Sequence, residues 1–456
     1  MNREKGKLNR QYMKKHKYMM PTEIFFGKLF GGKSHFSIGS VSNIMPIVGI
    51  IIDETRQYDY YRSLIRLLSP DNVILIVNDY HETAESHNSF FEEFEEYTFL
   101  MLSKVVRNRL KFSVLVSTGN FLIPVSDVGI IRLFSNCFVQ RMVFLYSITF
   151  GYVFEKSNLA HFFSKIVGRD LSAKGHRKLH QFYCNKIYPE RLVGQYNILY
   201  PRGLDLPKAF PTRSTRKRFD FIFTIGGYDS YLVEKNSDLN FMKIGYPRYD
   251  EKHLPYSENR LLNDDFNLDQ NKKTILWMPS RLDWLADPDA NVKVWLRHIK
   301  HLSHTYNIIL RPHPHRFRKN PAYYNMISQS SIVVDTDASR ELLGLYLSAD
   351  LVICDYGGSI FSALYCHKTV VLLNIPDYPA SLNSNSEFYA RDILPNFDIT
   401  DKAMEDNSIL MPLTSNTELA KYQKSSLKAR QYFFSTTLKS GLIDASKFLV
   451  DTSRRV

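Results

Sequence analysis

Ala349-Asp-Leu-Val-Ile-Cys-Asp-Tyr-Gly-Gly-Ser359 is the stretch on which the reading of the whole chain turns. Residues 351–354 are uncharged and apolar, the pattern of a short strand buried on both faces. The run stops at Asp355, passes through Gly357, Gly358 and Ser359, and continues over 360–365 as an apolar helix. Two glycines let the backbone approach a ligand closely, and Ser359 is a side chain suited to capping the helix. The helix start offers unpaired N–H groups and the positive end of a dipole, which together favour a phosphate. The same residues also read as a plain strand-to-helix turn with a capped helix, and the pattern alone leaves both open.

Outward from this stretch, apolar runs alternate with helical stretches in the βαβ rhythm of a parallel sheet. Residues 274–278 (TILWM), 307–310 (NIIL), 331–334 (SIVV) and 369–373 (TVVLL) are read as strands, each followed by Pro, Asp, Arg or Asn. Polar residues at the carboxyl ends of parallel strands are where open α/β sheets hold ligands. In the first half, 45–52, 73–77 and 113–117 read as buried strands, with 197–200 and 221–224 as later ones. Residues 89–110 carry apolar positions at helical spacing, acidic residues early and basic ones late, which predicts one helix. Residues 253–273 are polar and read as a linker, and 418–450 are helical by pattern. The expected architecture is α/β, with two Rossmann-like doubly wound domains facing a cleft. A basic arm over 1–40 precedes an N-terminal acceptor domain (41–255) and a C-terminal nucleotide-donor domain with a terminal helix (270–456).

The chain has 456 residues and a net charge of +13, which implies polyanionic company. Nine Lys/Arg against two acidic residues over 1–40 supply seven of those charges, so the arm is read as a docking device for an anionic membrane surface. The four cysteines form neither a CxxC pair nor a framework, which fits a reducing compartment; Cys354 and Cys366 read as core. No secretory leader and no apolar run of spanning length is seen, so a cytoplasmic chain peripheral on the inner membrane face is expected. Residues 142–154 (MVFLYSITFGYVF) are the longest uncharged run, read as buried core or as a membrane-surface contact.

Further motifs carry chemistry. In Asn307-Ile-Ile-Leu-Arg-Pro-His-Pro314, Arg311 and His313 leave a strand two residues apart and can share a face. Arginine clamps phosphate oxygens in a bidentate way, and histidine exchanges a proton near neutral pH. Trp277-Met-Pro-Ser-Arg281 ends a strand in the same manner and aims Arg281 at the same cleft. Gly245-Tyr-Pro-Arg-Tyr-Asp250 is a turn beside the linker, read as a hinge or as a site for Arg248. Arg213, Arg216, Lys217 and Arg218 form a charged cluster, either a solvated loop or a patch that steers an anionic acceptor. Walker A, GxGxxG, HExxH and nucleophile-elbow sequences are missing, as are RNA-binding modules, so no cofactor, no metal and no nucleic acid is expected.

Taken in order, these pieces resemble the CDP-glycerol glycerophosphotransferase family, the teichoic-acid and capsule polyol-phosphate transferases. The resemblance rests on Phe219-Asp-Phe-Ile-Phe-Thr224, the 245–250 turn, 275–281, Arg311-Pro-His-Pro314 and 349–359, and covers 196–374. It implies a GT-B fold and transfer of glycerol phosphate, or a related polyol phosphate, from a CDP-activated donor to a hydroxyl of a polymer or lipid-linked acceptor, releasing CMP. A GT-B glycosyltransferase using a UDP-sugar and a catalytically weakened partner of a polymerase are the other readings. Arg311, Arg281, Gly357, Gly358 and Ser359 are expected at the diphosphate, with Arg248 as a further contributor. His313 is the candidate for acid/base work or leaving-phosphate stabilisation, and Asp355 is expected to shape the turn. Two departures stand out. Where the family has His-Gly, this chain has Arg202-Gly203, and a guanidinium stays protonated and cannot act as a base, though it can hold an anion. Gly357-Gly358-Ser359 replaces a Ser-Ser pair, losing a hydroxyl but keeping the helix end.

Overall fold

Thirteen strands in two parallel sheets organise the described residues of the computed structural model. These are residues 44–53, 58–79, 88–119, 189–249, 266–280, 287, 289–313, 321–328, 330, 332–337, 340, 342–374, 386–398, 407–434 and 441–456. The basic arm, the 142–154 run, Arg281, and most of the 253–273 stretch lie outside them.

The first sheet has the order β3-β2-β1-β4-β5-β6-β7. Its strands are β1 (Ile44–Ile52), β2 (Val73–Val77), β3 (Thr98–Met101), β4 (Lys111–Ser117), β5 (Gly194–Leu199), β6 (Phe221–Thr224) and β7 (Asn240–Lys243). The second has the order β10-β9-β8-β11-β12-β13, from β8 (Lys273–Met278), β9 (Tyr306–Leu310), β10 (Val333–Val334), β11 (Leu351–Cys354), β12 (Thr369–Leu373) and β13 (Asn396–Phe397). In both, the strand order reverses beside the first strand, at β1/β4 and at β8/β11, which is the signature of doubly wound folds. The central strands read as continuous apolar runs because helices cover both faces. Val73–Val77 and Leu351–Cys354 are buried at every position.

Residues 89–110 are not the single helix that spacing predicts. Helix α2 (Asn88–Glu93) stops, β3 follows, and α3 (Leu102–Arg107) resumes; helix α1 (Tyr58–Arg66) precedes them between β1 and β2. The reason is pairing: Thr98–Met101 lies alongside Ile74–Val77 as the sheet's edge strand, while Phe90 and Phe94 give the segment its helical look by facing the core. The strand expected over 331–334 shortens to Val333–Val334, and β7 and β13 are edge strands that the sequence pattern did not mark.

The carboxyl-terminal region is two helices, α12 (Asn416–Phe434) and α13 (Leu442–Arg455). The first covers β12, and Ser426 accepts from the Val370 N–H. The second returns to the first sheet, against β1 and β4, although the sequence joins it to the second. Its apolar face supplies Leu442, Ala445 and Leu449 to the core that holds Val48, Ile50, Val114 and Val116. Removing one such leucine costs about 2–5 kcal/mol. A separate core joins the two halves: Leu204, Ile225, Tyr246 and Tyr249 from one side pack with Tyr346, Ile360, Phe361 and Leu364 from the other.

Candidate functional site

The reversal of strand order in the second sheet opens a crevice at the carboxyl ends of β8 and β11, whose last residues, Met278 and Cys354, are paired. Asp355 closes its floor. One carboxylate oxygen accepts from the Ser280 N–H (2.7 Å) and the Tyr356 N–H (2.7 Å), and the other accepts from the Asn291 amide. The Ser280 hydroxyl donates to the Tyr356 carbonyl. Burial pushes the Asp355 carboxyl above its usual range, against the pull of those hydrogen bonds. A carboxylate with this many donors is a brace between two strand ends. Behind it, burial pushes the Cys354 thiol up to about 12.

Gly357 then turns the chain at φ +83°, a conformation that costs an L side chain roughly 1–2 kcal/mol, and starts helix α10 (Gly358–Tyr365). Ser359 was the expected cap. Gly357 takes that position instead, without a side-chain bond, because only glycine enters the turn at positive φ without strain. Ser359 lies inside the first turn, its hydroxyl 3.5 Å from the Tyr356 carbonyl. The helix therefore presents first-turn N–H groups that no Gly357 side chain caps, the arrangement that suits an oxyanion.

Arg202 and Gly203 approach this turn from the other half. The loop after β5 is anchored by Leu204, which is fully buried in the shared core. Tyr246 donates its hydroxyl to the Arg202 carbonyl at 3.0 Å, and the Ser362 hydroxyl of α10 lies 3.5 Å from the Tyr246 oxygen. Arg202 is exposed, and its charge is felt by the buried Tyr61 phenol. The Oδ1 of Asp205 lies 3.9 Å from where a side chain at Gly358 would begin. Arg202, Gly357, Gly358 and Ser359 are thus residues of facing segments.

Three other arginines differ from expectation. Arg311 is only 5% exposed. Its NH1 donates to Asp335 at 2.5 Å and to the Asp337 carbonyl, and Asp335 also takes Arg340 at 3.1 Å. Burial pulls the Arg311 guanidinium down and Asp335 opposes it. The side chain expected on a diphosphate is thus engaged by the loop after β10. His313 follows two residues later, half-buried. Arg248 points at helix α1, donating to Asp59 at 3.3 Å and lying over the Tyr60 ring at 4.8 Å. Burial works against its charge, but Tyr249, Tyr60 and Asp59 hold it above its ordinary value. In the basic cluster, Arg218 pairs with the buried Glu190 and holds the Gly119 carbonyl.

Sequence reasoning missed Arg391. Its guanidinium lies 3.9 Å over the Tyr356 ring and donates to the Asp355 carbonyl, locking the turn from helix α11 (Ser386–Ile393). No local motif marks it. Among the described residues there is no group of three or more His, Cys, Asp or Glu able to hold a metal ion, and no helix long and apolar enough to cross a membrane.

Comparison with known proteins bears on the same region. Residues 228–374 match the model of the family described as CDP-Glycerol:Poly(glycerophosphate) glycerophosphotransferase. No curated protein sequence matches the chain. Among solved structures, the wall teichoic acid polymerase TagF is similar at 15% identity and a TM-score of 0.51, covering 91% of this chain and 89% of that one. A variant of TagF gives 0.52 at 14% identity over the same shares. The UDP-GlcNAc 2-epimerase from Neisseria meningitidis gives 0.50 at 12% identity, covering 90% and 100%. At these identities the structures speak to the fold alone. Tyr246, Arg311 and the glycine turn all lie within the matched segment 228–374, in a chain whose two-sheet parallel α/β architecture is similar to that of TagF.

Proposed function

We propose that the chain transfers glycerol phosphate, or a related polyol phosphate, from a CDP-activated donor to a hydroxyl of a cell-surface glycopolymer and releases CMP. The observation that carries this reading is the Gly357 turn, which opens the α10 N-terminus toward the Arg202 loop. The donor's diphosphate would sit on that helix end, with Gly357, Gly358 and Ser359 allowing its close approach. A TagF variant has been soaked with CDPG, which supports the choice of donor. The acceptor oxygen attacks the phosphorus that bears the glycerol, a bond to that phosphorus forms, and the bond to CMP breaks. Such a step depends on positioning and charge stabilisation. Arg202 is assigned to the transferring phosphoryl group and His313 to the leaving phosphate. Arg281 keeps its assignment at the diphosphate. Arg311 is assigned to holding the 335–340 loop, and Arg248 to holding helix α1. Asp355 shapes the turn. The basic arm over 1–40 is assigned to an anionic membrane surface, with the chain peripheral on the inner face of the cell membrane.

The test is turnover by the purified chain with CDP-glycerol, CDP-ribitol and UDP-sugars, following CMP or UDP. CMP release from a CDP-polyol is the expected result. UDP release alone would replace this reading with a nucleotide-sugar glycosyltransferase. Nucleotide binding without turnover would replace it with a catalytically weakened binding partner.

A further inference from the structure

Transfer to a hydroxyl needs a group that takes the hydroxyl proton, and Arg202, on the loop that faces the α10 turn, cannot. We infer that Asp205 is the general base of this chain, supplied three residues further along the same loop. The inference rests on the transfer reading above and names the residue that completes it.

The geometry is specific. Leu204 is fully buried between the halves, so the backbone on either side of it is fixed, and the Leu206 N–H donates back to the Leu204 carbonyl at 2.9 Å. Asp205 is exposed between these anchored neighbours. Its Oδ1 lies 3.9 Å from where a side chain on Gly358, the first residue of α10, would begin. A phosphoryl group seated on that turn and a hydroxyl approaching it would both come within reach of this oxygen. The described groups near it include Gly203, the Tyr246 phenol beside Gly203, and Gly358 at the start of α10. His313 follows β9 on the other half and keeps its assignment to the leaving phosphate. In the step, the acceptor O–H proton passes to an Asp205 oxygen as the acceptor O–P bond forms. The P–O bond to CMP breaks with its electron pair, and Asp205 later returns the proton to water.

A carboxylate beside a diphosphate repels it in the ground state, which gives the assignment a signature beyond lost activity. Asp205→Asn in the full chain, assayed with CDP-glycerol and a synthetic glycerol phosphate oligomer bearing a free terminal hydroxyl, should lose roughly 10²–10³-fold in kcat. It should also bind CDP about threefold to tenfold more tightly, lose the acidic limb of the pH–rate profile, and melt at the wild-type temperature. Asp205→Glu should recover part of the rate. An Asp205→Asn chain with the wild-type kcat and pH profile overturns the assignment, as does one with weaker CDP binding and a lowered melting temperature. If wild-type protein consumes only a UDP-sugar, the polyol-phosphate reading falls while the same variants decide Asp205 with that donor. A wild-type chain that consumes no donor overturns both.

Discussion

Helices α6 (Gly227–Asn236) and α10 both start on a glycine just after a parallel strand, yet they treat their first turns in opposite ways. At α6 the chain brings its own anion: Asp229 accepts from the N–H groups of Ile225, Gly226 (2.8 Å) and Ser230 (3.1 Å), and Gly226 is pressed against Phe433 and Phe434. At α10 the matching position is Ile360, which is buried in the shared core and offers no acceptor. The α6 start is closed by a carboxylate of its own helix, whereas the α10 start has none of its own and meets Asp205 from the facing loop. Arg311 belongs with the closed kind, a strand-end charge answered by Asp335 within the fold.

The largest effect expected from breaking this contrast is at Arg311. Arg311→Met leaves the Asp335 carboxylate, 1% exposed, without its buried guanidinium, beside Arg340 and the Asp337 N–H, and should lower stability by about 3–5 kcal/mol in urea unfolding. Arg311→Met with Asp335→Leu should recover most of that. Full stability with weakened CDP binding would return Arg311 to the diphosphate. Next comes Gly357→Val, which forces a branched side chain to φ +83° at the open helix start. Donor turnover should fall by roughly 30–100-fold, about 2–3 kcal/mol, while Gly119→Val, at φ +77° in the first half, should cost stability and leave turnover per folded molecule unchanged.

The smallest effect is the pH dependence of the closed start. Burial raises the Asp229 carboxyl from 3.8 to about 6, against the pull of its backbone hydrogen bonds. The folded chain therefore binds this proton more readily than the unfolded one. The Asp229 contribution to stability falls as pH rises from about 4 to about 6 and is level above that. Its span is on the order of 3 kcal/mol. Asp229→Asn should flatten that part of the stability–pH curve, and an unchanged slope would assign it to another group.

How much of this was legible in sequence depends on range. Val73–Val77, Phe221–Thr224, Leu351–Cys354 and Thr369–Leu373 were readable to the residue, because an uncharged run bounded by polar residues carries its own limits. Thr98–Met101 was not, because what makes it a strand is Ile74–Val77 alongside it. The same divide runs through the site. Gly357 and Gly358 declare a turn locally, whereas Arg311 with Asp335, Arg391 over Tyr356 and Asp205 beside Gly358 are juxtapositions made by the fold. No spacing rule announces them.

Helix α13 has a consequence for how the molecule is made. The flank of β1 and β4 that it covers belongs to strands translated early, and the cover is translated after the entire second sheet. During synthesis the first half must wait with Val48, Ile50, Val114 and Val116 lacking Leu442 and Leu449. A nascent chain of this kind exposes a sticky apolar surface for as long as the ribosome needs to finish, and is a natural client for holding chaperones.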